Sequence, residues 1–370
     1  MATTNGLIRT ADRTVGVKQD MDEAIQILTP SDVPLQQWLP TDTTTSIKVE
    51  WMEEDLSPQT ITVSAVSGTA SPWTLTVNDA GVVRPGDVLH LVGAAYDRQF
   101  LVSSINTTSN EVVVTSFAAT TDSNDPAAAD VLEIIGQYRT EGGDPEDARS
   151  VERTAKYNYT QWGQEKVEVT RTQRKRAMFG GGDPYDHELM KKFKELAIRY
   201  ERSLVNGYRV ESSDKTKRFM GGLFYFISNN SASNTAANVK TAINSLLRSC
   251  YEDGGTPGVL MVSPAVKAAI DANIDPSLRR STRAETTGGY TIEKVLTSFG
   301  EVDVVINRHF PTTKGLALQR EYLSRVNFDG YFHEALAKTG DSDEGQVVGE
   351  FTCRVKNEKA HGILTVTDAS

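Results

Sequence analysis

The sequence predicts an α+β protein that contains one long helix and a small β-domain inserted ahead of it. Three observations support this fold class. A capped amphipathic helix pattern covers residues 183–208, short strand patterns follow one another between about 60 and 138, and strand and helix patterns are mixed after residue 209. The helix carries the clearest signal, because its capping residues and its periodicity agree.

The helix pattern begins at Asp183, a residue type that caps helix N-termini. Pro184 takes the first helical position, where its missing N–H is not needed. Apolar residues then recur at every third or fourth position and form one stripe: Leu189, Phe193, Leu196, Tyr200, Leu204 and Tyr208. Charged residues fill the other faces: Lys191, Lys192, Lys194, Glu195, Arg199, Glu201 and Arg202. We therefore predict an amphipathic helix about 35–40 Å long.

The composition excludes several classes of protein. With 370 residues, 38% of them hydrophobic and 24% charged, the chain is typical of a globular protein of two or three domains. The net charge of −10 argues against a protein that coats or reads duplex nucleic acid, because affinity for phosphate requires a basic surface. Cys250 and Cys353 lie far apart and predict neither a disulfide framework nor a thiolate metal site. We expect neither secretion nor a membrane span, because no apolar segment of the required length occurs.

The part of the chain before the helix contains a polar arm followed by several stretches with the periodicity of β-strands. Residues 1–40 are polar and Pro-containing, which favours an arm that lies on another surface. Residues 45–52 alternate as a strand, and 60–138 contain the short strands of a small antiparallel barrel or sandwich. A charged Gly/Pro hinge at 140–150 leads to a second alternating stretch at 157–172. We expect 157–172 to return antiparallel to 45–52, so that the β-domain is an insertion at the tip of a long hairpin.

After the helix, helices and strands alternate. The apolar run GGLFYFI is expected to be a strand or turn, followed by a polar loop. Asn238 can cap a helix that reaches Glu252, a buried-type strand follows at 258–263, and Pro264 opens the helix 265–272. Residues 275–290 have the composition of an exposed loop. Further strands are predicted at 300–307, 315–318, 347–355 and 362–367.

The motifs of common enzymes are incomplete in this chain. His187 and Glu188 begin like a zinc-protease helix, but the residue four positions after the histidine is Lys191, so the second ligand is missing. The glycines at 180–182 precede a helix, but neither of the two phosphate-binding motifs, GxxxxGK[ST] and GxGxxG, is present. No GxSxG elbow marks Ser64 or Ser263 as a nucleophile. The sequence therefore predicts no enzyme activity, no catalytic residues, no cofactor and no metal site.

One basic cluster stands just before the long helix. Its members are Arg171, Arg174, Lys175 and Arg176. Three interpretations are open: a solvated or salt-bridged surface, pairing between subunits, and contact with nucleic acid. Pairing between subunits would use acidic patches such as Glu53, Glu54 and Asp55, or residues 144–147. We take the basic cluster and residues 53–55 as candidate intersubunit contacts.

Three parts of the chain carry a resemblance to a known family: GLIRTADRTVGVKQDMDEAIQILTPSDVPLQQWLP at the start, VSPAVKAAID, and DGYFHEALAK with VVGEFTCRVKNEKAHGIL near the end. With these segments the chain resembles the major capsid proteins of tailed bacteriophages. The resemblance implies the tailed-phage capsid fold, with an arm, an extended hairpin loop, a spine helix, and peripheral and axial domains. The implied bounds are 1–40 for the arm, 41–176 for the hairpin with its β-domain at about 60–138, 177–255 for the spine helix and peripheral domain, 256–330 for the axial domain, and 331–370 for the return to the peripheral domain.

The resemblance also implies a function. A structural protein of this family assembles into hexamers and pentamers of an icosahedral head that encloses double-stranded DNA without sequence-specific binding. Its implied partners are further copies of itself and scaffolding, portal and decoration proteins, with no membrane involved. It is expected in the virion capsid, after assembly in the host cytoplasm. Two alternatives are a nanocompartment shell of the same fold and a carbohydrate-binding or hydrolytic virion protein that acts through the β-domain.

Overall fold

The computed structural model describes residues 32–93, 98–117, 125–144, 148–176, 183–273, 279–281, 293–338 and 340–368. Most of the predicted arm and the glycines at 180–182 lie outside these residues. The chain divides into two compact units. Residues 52–155 form one unit, here called the barrel unit, and the rest of the chain forms the main unit.

The main unit contains all six helices of the described residues: α1 (Pro34–Trp38), α2 (Arg171–Lys175), α3 (Pro184–Asn206), α4 (Leu223–Phe226), α5 (Val239–Glu252) and α6 (Pro264–Asn273). The strands as far as the long helix are β1 (Thr41–Thr43), β2 (Lys48–Glu53), β3 (Thr60–Ser67), β4 (Trp73–Val77), β5 (Asp87–Leu91), β6 (Gln99–Asn106), β7 (Glu111–Ser116), β8 (Val131–Gln137), β9 (Thr154–Tyr159) and β10 (Gln161–Thr170). Those after it are β11 (Val210–Glu211), β12 (Arg218–Phe219), β13 (Ser231–Asn234), β14 (Val259–Val262), β15 (Arg279–Ser281), β16 (Glu293–Thr297), β17 (Gly300–Ile306), β18 (Lys314–Leu318), β19 (Leu323–Ala335), β20 (Ser342–Val355) and β21 (Gly362–Val366).

The long helix α3 packs on a four-stranded sheet with the order β1-β19-β20-β10. Asp183 caps it, because its side chain accepts the backbone N–H of Tyr185 at 3.0 Å. Leu196, Tyr200 and Leu204 are buried. The strand β10 can approach the helix closely at Gly163, where a Cβ would come within 2.7 Å of Leu196.

The predicted apolar stripe of the long helix is buried only in its middle. Leu189 and Phe193 are half-buried, and Tyr208 lies beyond the end of the helix with 66% of its surface exposed. The helix stops at Gly207, where a Cβ would come within 2.5 Å of the carbonyl oxygens of Met220 and Ser203. Glu201, one of the charged residues predicted for the faces outside this stripe, is fully buried, with an exposed fraction of 0%.

A seven-stranded sheet, in the order β13-β21-β18-β14-β17-β16-β15, forms the second layer of the main unit. All four residues of β14 are buried, because the strand has a hydrophobic core on each face. Val259 and Met261 join the core that contains α3, whereas Leu260 and Val262 join the core beneath α5 and α6. Six residues on the apolar side of α5 are buried: Val239, Ala242, Ile243, Leu246, Leu247 and Cys250.

Several local predictions differ from the structure. The run GGLFYFI contains the short helix α4, β13 lies in the predicted polar loop, and the predicted loop 275–290 contains β15. The strand β19 has no counterpart among the predicted strands. The side chain of Asn238 does not cap α5, and its Nδ2 donates instead to Thr235 Oγ1 at 3.4 Å.

One longer-range prediction needs correction. In the predicted returning strand 157–172, only the part within β9 pairs with β2. The strand β10 pairs antiparallel with β20 instead, from Gln161–Phe351 to Thr170–Ser342. Elsewhere in the main unit, α5 and β21 share one hydrophobic core with β14 and β17.

The barrel unit contains a closed barrel of six strands in the order β3-β4-β7-β6-β5-β8. Its interior is apolar, with Ile61, Leu75 and Leu132 fully buried. A fully buried carboxylate, Asp87, joins the barrel to the chain that follows it, because Arg149 donates to Asp87 Oδ2 at 2.5 Å. The sequence predicts either a barrel or a sandwich at 60–138, and the strands close into a barrel.

Candidate assembly surface

The helix α1, near the end of the predicted arm, is attached to α3 through Glu201. Oε1 of Glu201 accepts the backbone N–H of Leu35 at 2.8 Å, and Oε2 accepts that of Gln36 at 3.0 Å. The first N–H groups of a helix have no partner within the helix, and α1 has no side-chain cap of its own. Glu201 therefore supplies the cap from another part of the chain. Asn307 supports it by donating to Oε1 at 2.7 Å.

The side chain of Glu201 is fully buried, with an exposed fraction of 0%. Burial raises the pKa of Glu201, while the hydrogen bonds from Leu35, Gln36 and Asn307 act in the opposite direction. Gln36 adds a further bond from its Nε2 to the carbonyl oxygen of Ala197 at 2.7 Å. We call the contacts of Glu201 with α1 and Asn307 the Glu201 clamp. It fixes the described end of the predicted arm on α3.

The basic cluster is partly neutralised within its own chain. Arg174 lies between two carboxylates: it contacts Asp183 at 2.6 Å and Asp343 at 2.7 Å. The N–H of Tyr185 and the guanidinium of Arg174 lower the pKa of Asp183, and Lys338 and Arg174 lower that of Asp343. This arrangement links the start of α3 to the strand β20, and we call it the Arg174 bridge.

The other candidate contacts are distributed between the two units. Arg171 pairs with Asp341 at 2.8 Å. Lys175 and Arg176 are exposed and form no ion pair with the described residues. In the barrel unit, Glu54 pairs with Arg153 at 2.9 Å, Glu53 is half-buried and Asp55 is exposed.

The Arg174 bridge predicts a specific pH dependence. Asp183 and Asp343 have lowered pKa values in the folded chain, so the stability they contribute is present above the ordinary carboxylate range and is lost as the pH falls through the lowered values. We expect Arg174→Gln to lower the melting temperature at pH 7, and this difference should shrink when the carboxylates become protonated below about pH 4. Thermal unfolding between pH 3 and 7 measures it.

Lys175→Gln is the matched control for that measurement. Lys175 is exposed and adjacent to Arg174, but it makes no ion pair with a described residue, so its replacement should change the melting temperature little at either pH. An Arg174→Gln difference that stays constant down to pH 3 would argue against the bridge.

The face of the four-stranded sheet that points away from α3 exposes aromatic side chains. Trp162 on β10 is 57% exposed and Phe332 on β19 is 37% exposed. Their partners on β20 are Glu350 and Val348, two residues apart, so both rings lie on the same face. Single exposed apolar side chains are common on protein surfaces, and two aromatic rings on one sheet face offer apolar surface that another protein can cover.

Two kinds of feature are absent from the described residues. Within them, no three or more histidine, cysteine, aspartate or glutamate side chains are arranged to hold a metal ion. None of the helices in the same part of the chain has the length and apolar character needed to cross a membrane.

Solved structures show the class of protein to which the fold belongs. A chain of Mycobacterium phage Cain is similar over 98% of this chain and 99% of its own, with a TM-score of 0.52 and 8% sequence identity. The capsid of Myoviridae phage XM1 is similar over 98% of this chain and 100% of that chain, with a TM-score of 0.52 and 9% identity. The protein thus has the mixed helix-and-sheet fold of tailed-phage capsid proteins.

The family follows from the sequence. The profile of the SU10 major capsid protein family matches residues 3–368, almost the whole chain. The chain belongs to this family and is a phage major capsid protein, a component of the virion capsid. The prediction of a tailed-phage major capsid protein is therefore confirmed. A comparison with curated proteins gives no match.

A nanocompartment shell is also among the similar structures. The encapsulin of the holo-SrpI complex from Synechococcus elongatus covers 57% of this chain and 75% of its own, with a TM-score of 0.43 and 12% identity. A partial likeness of this size does not support the alternative of a nanocompartment.

Proposed function

We propose that this major capsid protein assembles into hexamers and pentamers of an icosahedral head that encloses double-stranded DNA. The observation that carries the proposal is the match of the family profile to residues 3–368. The exposed aromatic face with Trp162 and Phe332 supports it, since such a surface is suited to contact another subunit. Scaffolding, portal and decoration proteins are proposed partners, and assembly is proposed to take place in the host cytoplasm.

The elements of the fold have proposed roles in the shell. Residues 1–40 are the arm, and the Glu201 clamp is the point where the arm is held by its own subunit. The helix α3 is the spine, and with the four-stranded sheet it forms the peripheral domain. The seven-stranded sheet with α5 and α6 forms the axial domain. This domain extends over 231–318 and 362–366, because these segments share one sheet and its cores.

The proposed role is structural and not enzymatic. The enclosed DNA is held by confinement, because a chain with a net charge of −10 has no general affinity for phosphate. Lys175 and Arg176 remain candidates for pairing with Glu53, Glu54 or Asp55 of another subunit. Such pairs between subunits would orient neighbours more than they would strengthen the contact.

Deletion of residues 1–30 tests the proposed arm. The deletion retains Leu35 and Gln36, so the Glu201 clamp and the main unit should still form. We expect a soluble, folded subunit with near-unchanged circular dichroism that no longer forms closed shells, as judged by sedimentation and electron microscopy. The reason is that an arm that reaches over a neighbouring subunit forms its contacts only in the assembly, so the isolated subunit does not depend on them.

The full-length chain, prepared in parallel, is the control for this deletion. Closed shells of normal size from the deleted chain would contradict the role assigned to the arm. An unfolded product would show instead that residues 1–30 are needed for the subunit itself, which also contradicts the proposal.

A further inference from the structure

A small open cavity lies at the C-terminal end of the helix α5. It has a volume of about 150 Å³, and its lining includes Leu247 and Tyr251 of α5, Phe299 in the turn between β16 and β17, and Glu301 of β17. The rings of Tyr251 and Phe299 lie 5.9 Å apart at an angle of 41°, and these residues are 61% and 42% exposed. Two aromatic rings that border the cavity are therefore open to solvent. We call it the α5 cavity.

The electrostatics of the α5 cavity favour a cation. The C-terminal end of a helix carries the negative end of its dipole, and α5 has no basic residue in its last turn. Glu252 is paired with Arg248 at 2.6 Å, and Glu301 in the lining lies 3.5 Å from Lys294. Asp253, the residue after α5, is exposed and has no cationic partner among the residues that the structure describes. Because aromatic ring faces also attract ammonium and guanidinium groups, the cavity is suited to the end of a lysine or arginine side chain.

The opposite end of α5 carries the complementary charge. Lys240 lies in the first turn, where the helix dipole disfavours a cation and where α5 has no acidic residue. It is exposed and forms no ion pair within the described part of the chain. Along the helix axis Lys240 and Tyr251 are about 16 Å apart, which is farther than a lysine side chain reaches. The cavity and the lysine of one chain therefore cannot satisfy each other.

We infer that Lys240 of one copy enters the α5 cavity of a neighbouring copy. The inference rests on the proposed function, because it requires that copies of this chain adjoin in a capsomer. The aliphatic part of the lysine packs against the rings of Tyr251 and Phe299, and its ammonium group reaches the carboxylate of Glu301. The two sides of the contact come from opposite ends of the same helix, so the contact is head-to-tail. Repeated head-to-tail contacts close into rings, in which every copy gives one lysine and receives one.

Cross-linking of intact heads tests this inference. The double variant Lys240→Cys, Gly258→Cys has one thiol on each side of the contact, since Gly258 lines the cavity and a Cβ there meets nothing within 4 Å. The native cysteines, Cys250 and Cys353, are buried and should not react. We expect a short bismaleimide to join the copies into a ladder that ends at rings of five and six chains on a denaturing gel, whereas each single variant stays monomeric. Intact heads whose chains stay monomeric or stop at dimers would overturn the inference. A parent chain that forms no heads would instead refute the proposed function.

The subunit concentration at which heads form provides a second measurement. Lys240→Gln should raise it by about 2–30-fold, the range expected for the loss of one cation–π contact. Lys240→Arg keeps a cation and should stay close to the parent. Lys194→Gln on α3 removes another exposed lysine without an ion pair to a described residue, and as the matched control it should cause little change. In a Phe299→Ala chain, Lys240→Gln should have no further effect, because the ring that it contacts is already gone. An unchanged concentration for Lys240→Gln, or an equal increase with and without Phe299, would overturn the inference.

Discussion

Replacing Leu204 with alanine is expected to lower the free energy of unfolding of the unassembled subunit by about 2–5 kcal/mol. Leu204 is 0% exposed and lies in the core that α3 shares with β20 and α4. Truncation removes buried apolar surface and leaves a cavity that the surrounding β-sheet and helices can fill only in part. Chemical denaturation of the soluble subunit, followed by circular dichroism, measures the loss.

Met190→Ala on the same helix is the matched control. Met190 is 63% exposed, so its truncation should change the free energy of unfolding by less than about 0.5 kcal/mol. Similar losses for the two variants would show that α3 is not packed on the core as described. Both variants gain the high helix propensity of alanine. The difference between their free energies of unfolding therefore reports the burial of the side chain.

Replacing Glu201 with alanine is expected to release α1 from α3 and to cost about 2–4 kcal/mol, because each buried donor left without an acceptor costs about 1–3 kcal/mol. The donors concerned are the N–H groups of Leu35 and Gln36 and the side chain of Asn307. Part of this cost is offset, because the variant no longer buries a carboxylate. Hydrogen exchange of the Leu35 and Gln36 amides measures the release directly, and we expect both to exchange much faster.

Two further variants sharpen the test of the Glu201 clamp. Glu195→Ala removes a partly exposed carboxylate that pairs with Lys192 on the same helix, and it should cost less than about 1 kcal/mol and leave the two amides protected. Glu201→Gln keeps one acceptor oxygen but presents an NH₂ group to a second donor, so its effect should be intermediate. Protected amides in Glu201→Ala would contradict the clamp.

The parts of the fold that sequence reasoning predicted well are those with local signals. The helix α3 has its cap and periodicity in adjacent residues, and β14 has the continuous apolar run of a strand that is buried on both faces. The turns and alternation of the barrel unit are likewise local. These features could be recognised because the residues that determine them are neighbours in sequence.

The remaining features depend on contacts between distant segments. The strand β10 alternates clearly, but its partner β20 lies about 180 residues later and no pattern in either strand identifies the other. The strand β19 was missed because its second half is largely exposed and register irregularities at 327–332 break its alternation. Pairing and register are therefore properties of the folded chain.

The candidate assembly surface also contains some features that the local sequence reveals and others that depend on contacts between distant residues. A glutamate on a helix otherwise rich in charge is indistinguishable in sequence from a solvent-facing residue, and Glu201 is buried only because α1 and Asn307 cover it. The basic cluster was visible, but the pairing of Arg174 with Asp343 joins residues 169 positions apart. One signal was available: Val33, the residue before α1, has no side chain that can accept a hydrogen bond, so the first N–H groups of α1 need an acceptor from elsewhere.

Cryo-electron microscopy of the particles formed by the full-length chain shows whether copies of this chain form a closed shell. We expect icosahedral shells with fivefold and sixfold capsomers, in which the density of each subunit accommodates α3 on its four-stranded sheet with α1 held at Glu201. A folded monomer that forms neither capsomers nor shells and binds glycans would contradict it.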